Sequence, residues 1–314
     1  TYLLIHFLAT SKIIEVYMKT DEIASKFLGK RVSGSETYDP SLLVVVPRAE
    51  NRKQYDIKNE ELPFVGVDVW HAYEFSTLTE SGLPVTRVMK MKYSCENEFL
   101  VESKSLKLYL NSFNMSRFGK NTEDCLEVCK NIIERDLSEK LKTPVTICFL
   151  SSNAEKVEIY QDFKNIMDFV DENAIKIDKF KEAPEVLVVE KSAEVAEYRW
   201  TFESLRSNCR VTHQPDFGDA FIYYKSKKHI KEESLVKYLS SFRSEFHFHE
   251  ECCEMIFKRL LDLLEEGDEL FVSLLYTRRG GIDICPSRWR KNTQVADAFN
   301  LTDVTKFARG CLKQ

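Results

Sequence analysis

The stretch "SLKLYLNSFN" (Ser105–Asn114) returns later in the chain as "SLVKYLSSFR" (Ser234–Arg243). In both copies the apolar residues follow the i, i+3, i+4, i+7 spacing of one helical face. These residues are Leu106, Tyr109, Leu110 and Phe113 in the first copy, and Leu235, Tyr238, Leu239 and Phe242 in the second. Self-similarity at a constant offset indicates an internal repeat, so each half of the chain is predicted to contain the same first helix.

A second helix is predicted after the first one in each half. The run "TEDCLEVCKNIIERDL" begins at Thr122, and the run "HEECCEMIFKRLLDLL" begins at His249. An acid-acid-Cys triplet lies near the start of both runs, which strengthens the parallel between the halves. The predicted buried faces consist of Cys125, Val128, Cys129 and Ile132 in the first half, and of Cys253, Ile256, Phe257 and Leu260 in the second.

Strand-like runs surround both helical pairs. They are "FVGVDVWHAYEFS", "PVTRVMKMKYS" and "TPVTICFLS" in the first half, and "EVAEYRWTFESL", "DAFIYYKSK", "DELFVSLLYT" and "GIDICP" in the second. The chain is therefore predicted to contain the unit β-β-α-α-β-β twice. Hairpins around paired helices favour antiparallel sheets with both helices on one face, which is an α+β fold.

The repeat divides the chain into four predicted segments. They are an amino-terminal extension over 1–23, a first module over 24–151, a connector over 152–190 and a second module over 191–314. The connector is rich in charge and weakly patterned, and it ends in the apolar run "EVLVV". We expect it to add an edge strand to a sheet. Met18 opens a run typical of a soluble amino terminus, so residues 1–17 are expected to lie outside the functional protein.

The composition argues against several classes of protein. A chain of 314 residues with 43% hydrophobic residues is long enough to form real cores. The net charge of −5 argues against direct nucleic-acid binding or membrane-surface binding, because both need a basic field. Polar residues (His6, Lys12 and Glu15) interrupt the apolar opening run, so no secretory leader or membrane span is predicted. Nine scattered cysteines form no disulfide framework, which favours a cytoplasmic protein.

The run "SNCRVTHQPDFGDAFIYY" (Ser207–Tyr224) contains the strongest candidate for catalysis. A free cysteine is usually a core residue, and Pro-Asp is ordinary turn chemistry. Cys209, however, falls in a polar turn between two strand-like runs, and Asp216 follows seven residues later. A thiolate and a protonatable carboxyl group together suit addition to an electrophilic carbon, with proton delivery to the neighbouring heteroatom.

The run "FHFHEECC" (Phe246–Cys253) has the residue types of a metal site but not the spacing. On a helix His249 can converge with Cys252 or Cys253, whereas His247 cannot easily join them, so no metal is predicted. His249 and Glu250 at the helix start are either a capping arrangement or a pair of ligand contacts.

Two further runs have the residues of a phosphate site. "VESKSLK" (Val101–Lys107) combines serines and lysines at a helix start, and "YTRRGGIDI" (Tyr276–Ile284) has two arginines and two glycines after a strand. A solvated helix end and a hairpin turn are the alternatives for these runs. The sequence contains no G-x-G-x-x-G after a strand, so a Rossmann site is not supported.

In this order, "ESKSLKLYLNSFN", "CRVTHQPD", "FHEEC" and "YTRRGGIDI" resemble the NADPH-dependent 7-cyano-7-deazaguanine reductases in their two-module form. With "YDPSLLVVVPRAENR" and "LPFVGVDVW", the resemblance covers roughly residues 24–289. It implies the tunnelling fold, in which β-β-α-α-β-β modules assemble into barrels. It also implies reduction of the substrate's nitrile to an aminomethyl group by two NADPH, in the pathway to the tRNA nucleoside queuosine. A homodimer is expected, because an open barrel edge seeks a partner.

The resemblance also implies the roles of the site residues. Cys209 would attack the nitrile carbon to give a covalent thioimide, while Asp216 protonates the nitrogen. The substrate would be bound by Val101, Glu102, Ser103, His249 and Glu250, and NADPH by Ser103, Lys104, Arg279 and Gly280.

The sequence departs from the family pattern in three places. Arg210 follows the nucleophile where a proline or a small apolar residue is expected, Phe217 replaces a tryptophan, and Asp219 replaces a small residue. Cys252 is predicted to lie near Cys209 and to form a reversible disulfide with it under oxidation. The alternatives are an amidino-transferring relative, a metal-dependent pterin-type cyclohydrolase and a non-catalytic purine-binding protein of the same fold.

Overall fold

The structure, a computed structural model, describes residues 37–313, so the predicted extension over 1–23 lies outside the described residues. The strands are β1 (Val45–Pro47), β2 (Val65–Leu78), β3 (Pro84–Ser94), β4 (Phe99–Val101), β5 (Val145–Leu150), β6 (Glu155–Glu158), β7 (Lys164–Asn165), β8 (Val189–Asn208), β9 (Pro215–Ile230), β10 (Glu269–Tyr276), β11 (Ile282–Trp289) and β12 (Lys306–Arg309). The helices are α1 (Ala49–Gln54), α2 (Ser103–Asn111), α3 (Thr122–Leu141), α4 (Glu232–Ser240), α5 (His249–Leu261) and α6 (Ala296–Thr302).

One eight-stranded sheet joins the two halves of the chain. Its strand order is β5-β3-β2-β11-β10-β9-β8-β7, and every pair is antiparallel except β7–β8. The halves meet where β2 pairs with β11, with Trp70 opposite Ile284. The α+β prediction is confirmed, and the connector contributes the short edge strand β7.

Each predicted helical pair packs on the sheet over its own hydrophobic core, α2 and α3 over one and α4 and α5 over the other. The eight apolar positions of the repeated first helix are all between 0% and 4% exposed, so the predicted buried face is confirmed in both copies. In α3, however, Ile133 is fully buried while Ile132 is only half-buried. Cys125 and Cys129 are therefore buried as predicted, but the buried face continues to Ile133 and Leu137 rather than through Val128 and Ile132.

The predicted unit is incomplete in the first half. β10 and β11, the two strands that follow the second helical pair, both join the main sheet, but of the two strands that follow the first pair directly, β5 joins it and β6 does not. β6 leaves the sheet and pairs in parallel with β12. The reason lies in its sequence "EKVE", whose single apolar residue, Val157, gives no face that could be buried beneath helices.

The chain after β11 covers the other face of the sheet and was not predicted. Leu301 in α6 and Ala308 in β12 form a third core with Phe271 and Leu275 of β10 and with Tyr160.

Within residues 37–313 we find no helix with both the length and the apolar character needed to cross a lipid bilayer.

Candidate active site

One cleft lies at the junction of the two halves, beside the starts of α2 and α5. Its volume, counted with the open solvent at its mouth, is about 710 Å³. Eight predicted site residues line it: Val101, Ser103, Lys104, Cys209, Asp216, His249, Glu250 and Arg279. Residues of four motifs that lie apart in the sequence therefore line one concave site.

The β8–β9 hairpin brings Cys209 and Asp216 to the same end of the cleft. Ser207 pairs with Asp216 in the ladder, and Cys209 begins the turn two residues after Ser207. The turn is closed by the Cys209 N–H, which donates to the Gln214 carbonyl at 2.8 Å, and by the His213 N–H, which donates back to the Cys209 carbonyl at 2.9 Å. Cys209 is half-buried and lines the cleft, whereas six of the nine cysteines are fully buried.

Asp216 is buried beside Arg279 and His249. Arg279 donates a hydrogen bond to its carboxylate, and His249 Nε2 lies 3.6 Å from its other oxygen. Burial favours the neutral acid, but His249 and Arg279 outweigh burial and lower the pKa of Asp216 below its ordinary value. Asp216 is therefore a carboxylate at neutral pH in this state of the protein.

Glu250 offers a hydrogen-bond acceptor to a ligand. Its side chain is 2% exposed, and among the described residues its Oε1 atom has no hydrogen-bond partner. Burial raises the pKa of Glu250 to about 8, with Asp68 adding to the rise and Arg48 opposing it. A buried acceptor without a partner is costly, so this oxygen is suited to the N–H groups of a bound molecule.

A buried ionic network lies close to Glu250. Asp68 binds Arg48 at 2.5 Å and Arg288 at 2.8 Å, and Glu254 binds Arg52 at 2.8 Å and Arg288 at 3.0 Å. All five side chains are at most 4% exposed. Sequence reasoning missed this network. The signal that could have indicated it is the charge of Asp68 and Arg288 within otherwise apolar strands.

The start of α2 contains the predicted nucleotide residues. Ser103 and Lys104 line the cleft, and so does Lys107 one helical turn later. No described residue forms an ion pair with Lys104 or Lys107, so both ammonium groups remain available to a phosphate. The sequence analysis included Lys107 in the phosphate-like run "VESKSLK", but the NADPH residues implied by the resemblance did not include it.

Glu102 and Gly280 lie beside the cleft rather than in its lining. The Glu102 carboxylate accepts from the backbone N–H groups of Lys104 at 3.0 Å and Ser105 at 2.7 Å, so it caps α2. Gly280 has φ +58°, and a Cβ atom there would come within 2.8 Å of Lys107 Nζ. The contacts of Glu102 with substrate and of Gly280 with cofactor stay predictions.

The three departures from the family pattern have distinct environments. Arg210 is buried and donates to Glu251 at 3.0 Å, so its charge is already paired. Asp219 is buried and binds Lys313 at 2.5 Å. Phe217 is 46% exposed.

The "FHFHEECC" run does not gather its side chains around one point. His247 lies between Glu245 and Glu251, whereas the His249 ring packs on Tyr276 with centroids 3.8 Å apart. Cys252 is fully buried, and burial raises the pKa of its thiol to about 12. Its disulfide with Cys209 stays a prediction.

A different group of possible metal ligands lies on the opposite face of the sheet. The ligand atoms of His71, Asp283 and Cys285 are within 4.8 Å of one another. Asp283, however, already accepts from Tyr73 at 2.6 Å and lies 2.7 Å from His71 Nδ1. We therefore interpret this group as a buried hydrogen-bond network.

Comparison with known proteins gives consistent matches over most of the chain. Residues 35–149 match the family model described as nitrile reductase, 7-cyano-7-deazaguanine-reductase N-term, and residues 215–295 match the model described as QueF-like protein. Two curated relatives, from the OSU 85-389 and RML369-C strains of Rickettsia bellii, are named NADPH-dependent 7-cyano-7-deazaguanine reductase. Each is 39% identical over 266 residues, which cover 85% of this chain and 93% of the relative.

Proposed function

Because the chain belongs to the NADPH-dependent 7-cyano-7-deazaguanine reductases, we propose that it reduces the nitrile of that base to an aminomethyl group through a covalent adduct on Cys209. The product would enter queuosine biosynthesis. One observation carries the mechanism: Cys209, Asp216 and Glu250 line the same cleft between the two halves.

The first step is the addition of the Cys209 thiol to the nitrile carbon. Asp216, a carboxylate in the empty site, accepts the thiol proton while the sulfur–carbon bond forms. An electron pair of the carbon–nitrogen triple bond moves to nitrogen, which takes the proton from Asp216. The product is a neutral thioimide, and Asp216 returns to its carboxylate form. The lowered pKa of Asp216 supports this order, because a base must be ionised before it can accept the proton.

Glu250 and His249 orient the substrate at the start of α5. A guanine-like ring presents adjacent N–H donors that match the two oxygens of a carboxylate. Glu250 has a buried oxygen without a partner among the described residues. Together with Val101 and Ser103 across the cleft, Glu250 would hold the ring with its nitrile towards Cys209.

The residues opposite α5 fit a nucleotide cofactor. Ser103, Lys104, Lys107 and Arg279 give the cleft one hydroxyl and three cationic groups, which is a suitable donor set for phosphates. Two NADPH molecules, bound there one after the other, would each supply one of the two hydrides that the conversion of a nitrile to a primary amine requires. The location of the cleft between the halves helps to exclude water until the second hydride has been delivered.

We also propose that the two halves are tandem tunnelling-fold modules and that the protein is a homodimer. The main sheet ends at β5 on one side and at the two-residue strand β7 on the other. An open edge such as β5 can pair with another chain. A homodimer predicts about twice the chain mass in light scattering.

Loss of NADPH absorbance tests the activity. Adding 7-cyano-7-deazaguanine to the protein and NADPH should consume two equivalents of NADPH per nitrile. Cys209→Ala should consume none, and Cys252→Ala, which changes a cysteine two residues after Glu250, is the matched control. Cofactor consumption by Cys209→Ala at the wild-type rate would contradict the proposal.

A further inference from the structure

Both neighbours of Cys209 in the chain are tied to the segment that leads into α5. On one side, the Asn208 N–H donates to the Glu245 carbonyl at 2.8 Å, and the His247 N–H donates to the Asn208 carbonyl at 3.2 Å. The Asn208 amide also donates to the carbonyls of Arg243 at 3.1 Å and Glu245 at 3.2 Å. The residue before the nucleophile is therefore held by its backbone and its side chain.

On the other side of Cys209, a buried ion pair ties Arg210 to α5. Arg210 Nη1 lies 3.0 Å from Glu251 Oε1, and the two side chains are 4% and 5% exposed. Glu251 Oε2 accepts from the Phe248 N–H at 3.0 Å, which fixes the carboxylate at the helix start. Glu251 is the residue after Glu250, so the ion pair joins the nucleophile turn to the helix that would hold the substrate.

His247 balances the charge of this cluster. Its Nε2 lies 3.1 Å from Glu245 and its Nδ1 lies 3.4 Å from Glu251, while its side chain is 1% exposed. With His247 protonated, two buried cations face the buried carboxylate of Glu251 and the partly exposed carboxylate of Glu245. A buried cluster of this kind resists rearrangement, since moving one member leaves an opposite charge uncompensated.

We propose that Arg210 and Glu251 are positioning residues that form a buried clamp, fixing Cys209 relative to the substrate residues His249 and Glu250. The proposal rests on the proposed function, because the step that it governs is adduct formation on Cys209. Attack on a nitrile carbon requires the sulfur to be held close to that carbon, and a displacement of about 1 Å can cost roughly a hundredfold in rate.

The clamp also accounts for an arginine at this position. The resemblance leads one to expect a proline or a small apolar residue at 210, and proline restricts the backbone by its ring. Arg210 has no such restriction, and its ion pair with Glu251 performs the same task through the side chain. The guanidinium is directed to Glu251 on α5, so its contribution is geometric rather than direct activation of the thiol.

The test compares adduct formation with substrate binding. The variants are Arg210→Met, Arg210→Lys, Glu251→Gln and the double variant Arg210→Met/Glu251→Gln, which leaves no unpaired charge buried. Mass spectrometry of quenched samples, with the nitrile present and NADPH absent, gives the adduct rate. The substrate Kd is measured with the same changes made in Cys209→Ala. Arg259→Met is the matched control, since it breaks the ion pair with Glu182 near the far end of α5.

We expect the double variant to remain folded and to form the adduct about tenfold to a hundredfold more slowly. Its substrate Kd should stay within twofold, Arg210→Lys should recover part of the rate, and Arg259→Met should react at the wild-type rate. An unchanged rate in the folded double variant, or an equal loss of rate and binding, would overturn the clamp. Failure of the wild-type protein to form any adduct would instead overturn the proposed function.

Discussion

If Glu250 binds the substrate ring as proposed, its burial makes that binding depend on pH. Its pKa is raised to about 8, so between pH 6 and pH 8 the empty site holds mostly the protonated acid. The ring N–H donors of the substrate require the carboxylate. We therefore expect the Kd of the nitrile, measured in Cys209→Ala, to fall as pH rises from 6 to 8, by at most about tenfold per pH unit.

The matched control is Glu250→Gln in the same background. It should bind the substrate more weakly by about 1–3 kcal/mol, because ring donors lose their acceptor, and its Kd should not vary over this pH range. Calorimetric titration at three pH values measures both effects. A Kd that does not change with pH when Glu250 is present would show that the carboxylate does not bind the ring.

Asp216 provides a second test at the level of one residue. Asp216→Asn keeps the shape of the side chain but removes the carboxylate that we propose transfers the proton from sulfur to nitrogen. We expect adduct formation to slow by about 10²–10⁴-fold, the usual range for loss of a general acid–base group. Rapid-quench mass spectrometry gives the rate, and substrate binding should change little. Adduct formation at the wild-type rate would exclude this role.

Some site residues were predictable from sequence and others were not. Cys209, Asp216 and Glu250 were predicted because their chemical types stand out in short ordered motifs. The cap formed by Glu102 depends on where α2 begins, which the sequence pattern does not fix. In the buried ionic network, Asp68 lies 20 positions from Arg48 and 220 positions from Arg288 in the sequence. A pattern among neighbouring residues does not predict pairs that far apart.

At the level of elements, the charge of His247, next to the start of α5, affects the free energy of unfolding. Burial opposes a charge on His247, but hydrogen bonds with Glu245 and Glu251 outweigh it and raise the pKa of His247 above its ordinary value. A raised folded-state pKa means that this contribution is fully present below about pH 6.5 and is lost as pH rises through the folded pKa.

We therefore expect the free energy of unfolding of the wild type to exceed that of His247→Gln at pH 6, and the difference to shrink as pH rises. Urea denaturation at pH 6, 7.5 and 9 measures the difference. Arg259→Met is a suitable control, because its ion pair with Glu182 has no histidine. A difference that stays constant or grows with pH would contradict the assigned charge state.

The repeated first helix gives a prediction at matched positions. Leu106 in α2 and Leu235 in α4 are both 0% exposed and lie at equivalent positions of the repeat. Replacing either by alanine should destabilise the protein by about 2–5 kcal/mol, because each change leaves a cavity in a packed core. Glu139→Ala, on the exposed side of α3, should stay within about 0.5 kcal/mol. Chemical denaturation that finds Leu235→Ala neutral would contradict the packing.

Hydrophobic periodicity predicted the helical pairs and the long strands because each buries one regular face. In α3 it predicted Cys125 and Cys129 correctly as buried, but it also predicted Val128 and Ile132, which are only half-buried because the helix turns Ile133 to the core instead. It also missed α6 and β12, which cover the far side of the sheet with few apolar residues each. β6 comes after β5 in the chain, as the repeat requires, but it lies outside the main sheet and pairs with β12. Its charged sequence has no apolar face that could be buried beneath helices.

At the level of the whole molecule, the duplication explains where the cleft lies. The sequence predicted two related halves with a site between them, but it could not predict that β2 and β11 would join them into one sheet. That pairing brings the start of α2 towards the start of α5, so that the nucleotide residues of one half face the nucleophile of the other. The cleft thus has Ser103 and Lys104, which we propose for NADPH, on one side and the proposed nucleophile Cys209 on the other.

The most direct test is mass spectrometry of the intact protein after incubation with 7-cyano-7-deazaguanine and without NADPH. The account predicts that the protein gains the full mass of the nitrile, that peptide mapping locates it on Cys209, and that Cys209→Ala gains nothing. No mass gain in the wild type, or a gain on a different cysteine, would contradict it.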